Sequence, residues 1–298
     1  MNRNDAFSRC HPLVNFLYFA LVLLGAMLLQ HPVCQAISLI GAIACFCTLG
    51  GEKPGGFRLW YALALFAVTA AVNPAFSHEG RTILRYLPSG NPLTLESILY
   101  GIGAGLTLCT ALVWFSCYTR IMTSDKFVYL FGRIVPALSL VLSMTLRFVP
   151  RFSAQARRVS RAQAAVGNDM HTGSPVHRVK CALMVFSILV TWSLENAVDT
   201  ADSMRARGYG TAKRTSFQIY RMKTLDWILI AAMLTLAVAA AVVAAMGGAA
   251  AEFTPKLAIQ PVTGIYALGF TAYCAYLFIP SALHLKEAVQ WHISRSRI

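Results

Sequence analysis

The chain has 298 residues, of which 57% are hydrophobic and 13% charged, and it carries a net charge of +14. A soluble domain has about a quarter of its residues charged, so this composition excludes a soluble enzyme. It predicts an all-α polytopic membrane protein with about six transmembrane helices and long amphipathic helices between them.

Met1–His11 precedes an apolar run that lacks a small-residue cleavage pattern, so the run is expected to remain as a helix. Leu13–Leu29 and Val33–Leu49 read as the first two spans, joined at Gln30-His31-Pro32, and each is close to the roughly 17 to 25 apolar residues that cross hydrocarbon. The basic loop Gly50–Arg58 follows. Leu59–Val72 is a third span, with Trp60 and Tyr61 suited to an interfacial belt. Pro and Gly punctuate Asn73–Thr94, which reads as an ordered loop. Leu95–Tyr118 is the fourth span, and its glycines at 101, 103 and 105 would let a neighbouring helix approach closely. Residues 1–118 form an N-terminal membrane domain on this reading.

From 119 to 223 the character changes, with sixteen of the 26 Lys and Arg residues against five acids. The apolar patches Ile134–Leu146 and Cys181–Leu194 are short for spans and read as re-entrant pieces or as the buried face of a long helix. Arg147–Gly167 is a basic amphipathic helix carrying Arg151, Arg157, Arg158 and Arg161. In residues 224–298, Asp226–Met246 is the fifth span, Gly264–Leu285 the sixth, and Lys286–Ile298 a short basic tail.

The polar stretch Glu195–Thr215 organises the middle of the chain. Leu194, Val198, Ala201 and Met204 form an apolar stripe at helical spacing, Asp199 and Asp202 lie off it, and Arg205 and Arg207 complete the last turn before Gly208. Gly208 suits the left-handed residue that ends a helix, which leaves an arginine at the tip of a rod. An arginine there suits a partner's carboxylates or carbonyls; the alternative is an ordinary capping charge beside a membrane.

With the amino terminus inside, only Arg81, Arg85 and Lys256 fall in external loops and the other 23 basic residues face the cytoplasm, so both termini and the insert are expected there. No phosphate loop, zinc-protease or nucleophile-elbow motif is present, and the seven histidines are scattered. The basic insert lacks the interleaved aromatics of a nucleic-acid platform, so no nucleic acid is expected as partner. The cysteines lie in or beside apolar runs without a C-x-x-C pair and read as packing residues.

Ala206-Arg207-Gly208-Tyr209-Gly210, followed by Lys213-Arg214-Thr215, closes a helix reading SLENAVDTAD. With His11-Pro12, His31-Pro32, NPAFSHEG, GNPLTLES, TSDK, YLFGR and RFVPRF in the same order, the chain resembles the transmembrane coupling subunit of energy-coupling factor (ECF) transporters, also called EcfT or cobalt-transporter-Q-type permeases. The resemblance implies a multi-pass scaffold in the plasma membrane of a prokaryote, which joins two cytoplasmic ATP-binding-cassette ATPase subunits to a small substrate-binding membrane subunit that captures a vitamin or metal ion. The scaffold is then no enzyme and holds no cofactor, since ATP is bound by the partners.

The resemblance also implies that two long helices each end in an arginine-centred motif docked in an ATPase groove. Arg207, with Ala206, Gly208, Tyr209 and Gly210, matches the second motif. The first, A-Q-x-A-R-G, falls on Ala162, Gln163, Ala164, Ala165, Val166 and Gly167, so valine stands where arginine is expected. Either Arg161 or Arg158 supplies the charge from an earlier turn, or the first dock is mainly apolar. A self-sufficient transporter or channel whose basic insert binds membrane lipids is the alternative function.

Overall fold

The computed structural model describes residues 7–49, 56–76, 80, 82–86, 92–132, 135–170, 172–211, 220–248, 251–252, 258–259 and 264–295. Among them are ten α-helices and two short hairpins. The chain divides into two compact units, residues 1–123 together with 220–298, and residues 124–219.

The first unit holds α1 (Pro12–Leu28), α2 (Pro32–Thr48), α3 (Gly56–Phe76), the hairpin β1 (Ile83–Tyr86) and β2 (Pro92–Thr94), and α4 (Leu95–Ile121). It also holds α8 (Thr224–Val243), β3 (Ala251–Glu252), β4 (Ala258–Ile259), α9 (Ile265–Leu277) and α10 (Ile279–Arg295). The two His-Pro pairs start helices in one way. His11 and His31 are N-caps whose Nδ1 accepts the N–H of Leu13 (3.2 Å) and of Val33 (3.3 Å), and the proline after each needs no N–H in the first turn.

The core gathers Val14, Tyr18, Phe19 and Val22 of α1 with Ala42 and Cys45 of α2, Trp114 and Cys117 of α4, Met233 of α8 and Tyr276 and Leu277 of α9. Tyr18 and Tyr276 donate reciprocally, the first to the carbonyl of Leu277 (2.9 Å) and the second to the carbonyl of Tyr18 (2.7 Å). The Trp114 indole donates to Ser38 Oγ (3.2 Å). Such internal partners are what an apolar solvent demands of buried polar groups. Where α3 lies on α4, a Cβ at Gly101 would stand 2.9 Å from the Ala70 carbonyl and one at Gly105 would stand 3.0 Å from the Phe66 ring. Gly103 instead lines an open crevice with Gln35 and Thr107.

Three features differ from the sequence expectation. The third helix runs on through Pro74 to Phe76, and the expected loop after it contains β1 and β2. Glu96 ties that hairpin: its carboxylate accepts the N–H of Thr82 at 3.2 and 3.3 Å, and also the Thr82 hydroxyl. The expected sixth span is broken, because α9 and α10 meet at a 50° bend. Pro280 has no N–H for a carbonyl one turn back, and the neighbouring Leu277 carbonyl is taken by Tyr18. The tail expected from Lys286 onward is helical to Arg295.

Two carboxylates hold the amino-terminal segment. Asp226, 3% exposed, accepts the N–H of His11 (3.1 Å) on one oxygen and of Lys223 (2.9 Å) on the other, so a single side chain caps the starts of α1 and α8. Glu287 of α10 pairs with Arg9 at 3.1 Å.

The second unit consists of α5 (Ser124–Gly132), α6 (Pro136–Ala165) and α7 (Pro175–Ala206). The described part of the patch Ile134–Leu146 is the start of α6, and Cys181–Leu194 is the middle of α7. By length and composition α4, α7 and Thr224–Gly248 could each cross a membrane, while α1, α2 and Trp60–Phe76 are shorter apolar helices.

Candidate functional site

The candidate site lies at the carboxyl ends of α6 and α7. Phe152 of α6 meets Trp192 of α7 edge-on at 5.4 Å between ring centroids, and the Arg151 guanidinium sits 5.7 Å from the same indole. The connection between the helices is tied at three points. Ser174 caps α7 by accepting the N–H of His177 (3.3 Å), Arg178 Nε donates to the carbonyl of Met170 (3.1 Å), and Asn168 Nδ2 donates to Gln163 Oε1 (3.1 Å).

Each helix ends in the same turn. At the end of α6 the N–H of Asn168 reaches back to the carbonyl of Gln163 (2.9 Å) and that of Gly167 to Ala164 (3.1 Å). At the end of α7 the N–H of Tyr209 bonds the carbonyl of Met204 (3.0 Å) and that of Gly208 bonds Arg205 (2.9 Å). Both are Schellman motifs, in which the residue after the C-cap takes the left-handed conformation. Gly167 (φ 88°) and Gly208 (φ 78°) fill that position, where a side chain would be strained. Gly210 (φ 95°) extends the second turn.

The expected site residues fall on these ends as follows. Arg161, Ala162, Ala165, Val166 and Gly167 are exposed; Gln163 is half-buried and is spent on the turn, its carbonyl and its side-chain oxygen both bound to Asn168. Ala206, Arg207, Gly208, Tyr209 and Gly210 are all exposed. Val166 and Arg207 are the two C-cap residues. Arg161 lies five residues before Val166, more than a third of the way round the helix from it, and the residue at the matching place before Arg207 is Asp202. Lys213, Arg214 and Thr215 lie outside the described residues.

Charge separates the two arginines of the second tip. Arg205 approaches Asp202 at 4.0 Å, both exposed, whereas Arg207 makes no ion pair among the described residues. Sequence reasoning missed Asn168, which fixes the first turn and also lies 3.7 Å from Met184 Sδ. Its signal was its place after the helix-ending glycine. Among the described residues no three His, Cys, Asp or Glu side chains gather as a metal site, and all eight cysteines are free thiols.

The sequence profile of the CbiQ family, described as cobalt transport protein, matches residues 7–219 and so takes in both helix ends. The chain belongs to this family. Curated relatives named energy-coupling factor transporter transmembrane protein EcfT include one from Leuconostoc gelidum, 32% identical over 104 residues (35% of this chain and 39% of the relative). Others are from Lactobacillus helveticus, 34% identical over 98 residues (33% and 35%), and Bacillus selenitireducens, 33% identical over 112 residues (37% and 42%). The chain thus spans under half the length of these relatives in each alignment. The family match stops at Ile219, and the next residue, Tyr220, is where the chain rejoins the first compact unit.

Proposed function

We propose that the chain is the membrane scaffold of an energy-coupling factor importer, joining two cytoplasmic ATPase subunits to a small membrane subunit that holds a vitamin or metal ion. The observation that carries this reading is the pair of identical, exposed helix ends on α6 and α7, presenting Val166 and Arg207 at one backbone position. A rigid rod with a fixed tip can be gripped and moved, and a helix end held by backbone bonds keeps its tip in place when the partner moves. The family relationship and the relatives' names support transport as the purpose of that movement.

The tips differ in chemistry. Arg207 offers a planar cation with several donors to a groove of carboxylates or carbonyls, with the exposed Tyr209 beside it. Val166, 78% exposed, offers an apolar knob, and the Arg161 charge stands off it to one side. The first dock is therefore apolar at its centre and basic at its flank. ATP closure of the two ATPases would move both tips, and α6 and α7 would pass the motion to the substrate-binding subunit through their exposed apolar residues, among them Leu183, Phe186 and Leu194.

The excess of Lys and Arg in alternate loops supports a cytoplasmic location for both termini and for residues 124–219. Purification of the tagged chain tests the reading. Two ATPases and a small hydrophobic protein should accompany it, whereas uptake by liposomes holding this chain alone would overturn the scaffold role in favour of a self-sufficient transporter.

A further inference from the structure

α10 has two faces. Toward its own unit Pro280 is buried and Leu283, His284 and Glu287 are half-buried, with Glu287 held by Arg9. On the other side Ala282, Leu285 and Val289 recur at spacings of three and four, and Ile293 continues the series. Leu285 is 66% exposed, Val289 49% and Ile293 50%. A helix that packs well on one side and still presents an apolar row on the other has a second apolar environment to meet.

The geometry of the preceding helix says which. α9 has 13 residues and is about 20 Å long, some 10 Å short of the hydrocarbon thickness. The first two turns of α10, Ile279 to about Leu285, must complete the crossing, and they hold no Asp, Glu, Lys or Arg. The apolar row therefore begins inside the bilayer and runs out of it along one continuous helix, whose axis is turned 50° from that of α9. Charge points the same way. The single acid of α10, Glu287, is on the packed face and paired, while Lys286 borders the row and Arg295 ends the helix.

We propose that α10 is an interfacial helix: Leu285 and Val289 lie in the acyl boundary of the leaflet into which α9 emerges, and Lys286 and Arg295 engage anionic lipid headgroups. Apolar area and attraction to anionic lipid are the two contributions that hold such a helix in the plane of the interface. This surface lies beyond the family match and does not depend on the docking of ATPases at α6 and α7.

The test places a photo-crosslinking residue singly at Leu285, Val289 or Ser294 in the full-length chain, reconstituted in vesicles of equal phosphatidylcholine and phosphatidylglycerol. Ser294 is half a turn round from Leu285. Lipid adducts are expected at Leu285 and Val289 and not at Ser294, with phosphatidylglycerol several-fold over-represented. The double substitution Lys286→Glu with Arg295→Glu should bring the two lipids to equal yield. Protein adducts at Val289, showing a second copy or another subunit on this face, would overturn the proposal, as would lipid yields that are equal at all three positions or indifferent to the charge reversal.

Discussion

Val166 and Arg207 occupy the same backbone position, with φ/ψ of −94°/8° at the end of α6 and −84°/5° at the end of α7. The N–H groups of the following two residues close each turn on the preceding carbonyls, so the side chain of the C-cap residue takes no part in making it. Identity at this position is free to vary, and one tip can be apolar while the other is cationic without altering the rod behind it.

Arg207→Ala should weaken ATPase attachment by roughly 2 to 4 kcal/mol, the usual loss for a buried arginine at an interface. Arg205→Ala should cost far less, because Arg205 already faces Asp202 in solvent. Titration of purified ATPase against each variant measures both, and equal losses would show that Arg207 is not the contact.

Val166→Asp should uncouple uptake, because a carboxylate pressed into an apolar groove carries a penalty of several kcal/mol. Val166→Arg should leave assembly intact, since the backbone of the two tips is already the same. Arg161→Ala should loosen one ATPase only. Unchanged uptake with Val166→Asp would remove residues 162–167 from the docking surface.

Gly167→Ala and Gly208→Ala each force a Cβ into the left-handed region, at a cost of about 1 to 2 kcal/mol. Nothing lies within 4 Å of a Cβ built at Gly167, so there the cost is conformational alone. The amides of Asn168 and Tyr209 should exchange with solvent about tenfold faster in the respective variants. Protection at wild-type level would mean the turns are held by something other than these bonds.

His11 gives the amino-terminal segment a pH dependence. Burial pushes its imidazole below the ordinary value of 6.5, and the nearby Asp226 carboxylate opposes this only in part. The unfolded chain therefore accepts a proton first, so the stabilisation is complete above about pH 6.5 and is lost as the pH falls through that value toward the folded one. Protonation would also occupy the Nδ1 that caps Leu13. Thermal unfolding in detergent from about pH 8 to about pH 5.5 should show a steeper decline for the wild type than for His11→Asn, which keeps a capping acceptor without titrating. Parallel curves would remove His11 from the linkage.

Much of this was legible in the residues because apolar runs, helix-ending glycines and the His-Pro pairs act within a few positions of themselves. The bend at Phe278 was not, since hydropathy sums side chains and is blind to the one N–H missing at Pro280 and to a Tyr18 hydroxyl some 259 positions away. The hairpin after α3 escaped for the same reason: its anchor, Glu96, stands 14 residues beyond Thr82 and inside the next helix. At the candidate site, reading side chains made Val166 look like a lost motif. What the two helix ends share is the backbone turn, made here by Gln163, Ala164, Gly167 and Asn168, which that reading does not inspect.

The reciprocal tyrosines impose an order on biogenesis. Tyr276 is made 258 residues after the Tyr18 carbonyl that it serves, a delay of roughly 10 to 50 s at ordinary synthesis rates. Throughout that interval the core side of Tyr18 stays open, joined by that of Trp114 once α4 is made, while all of residues 124–219 emerge from the ribosome. The first unit closes only when α9 arrives, so its last helices are laid against its first after the whole of the second unit has been made.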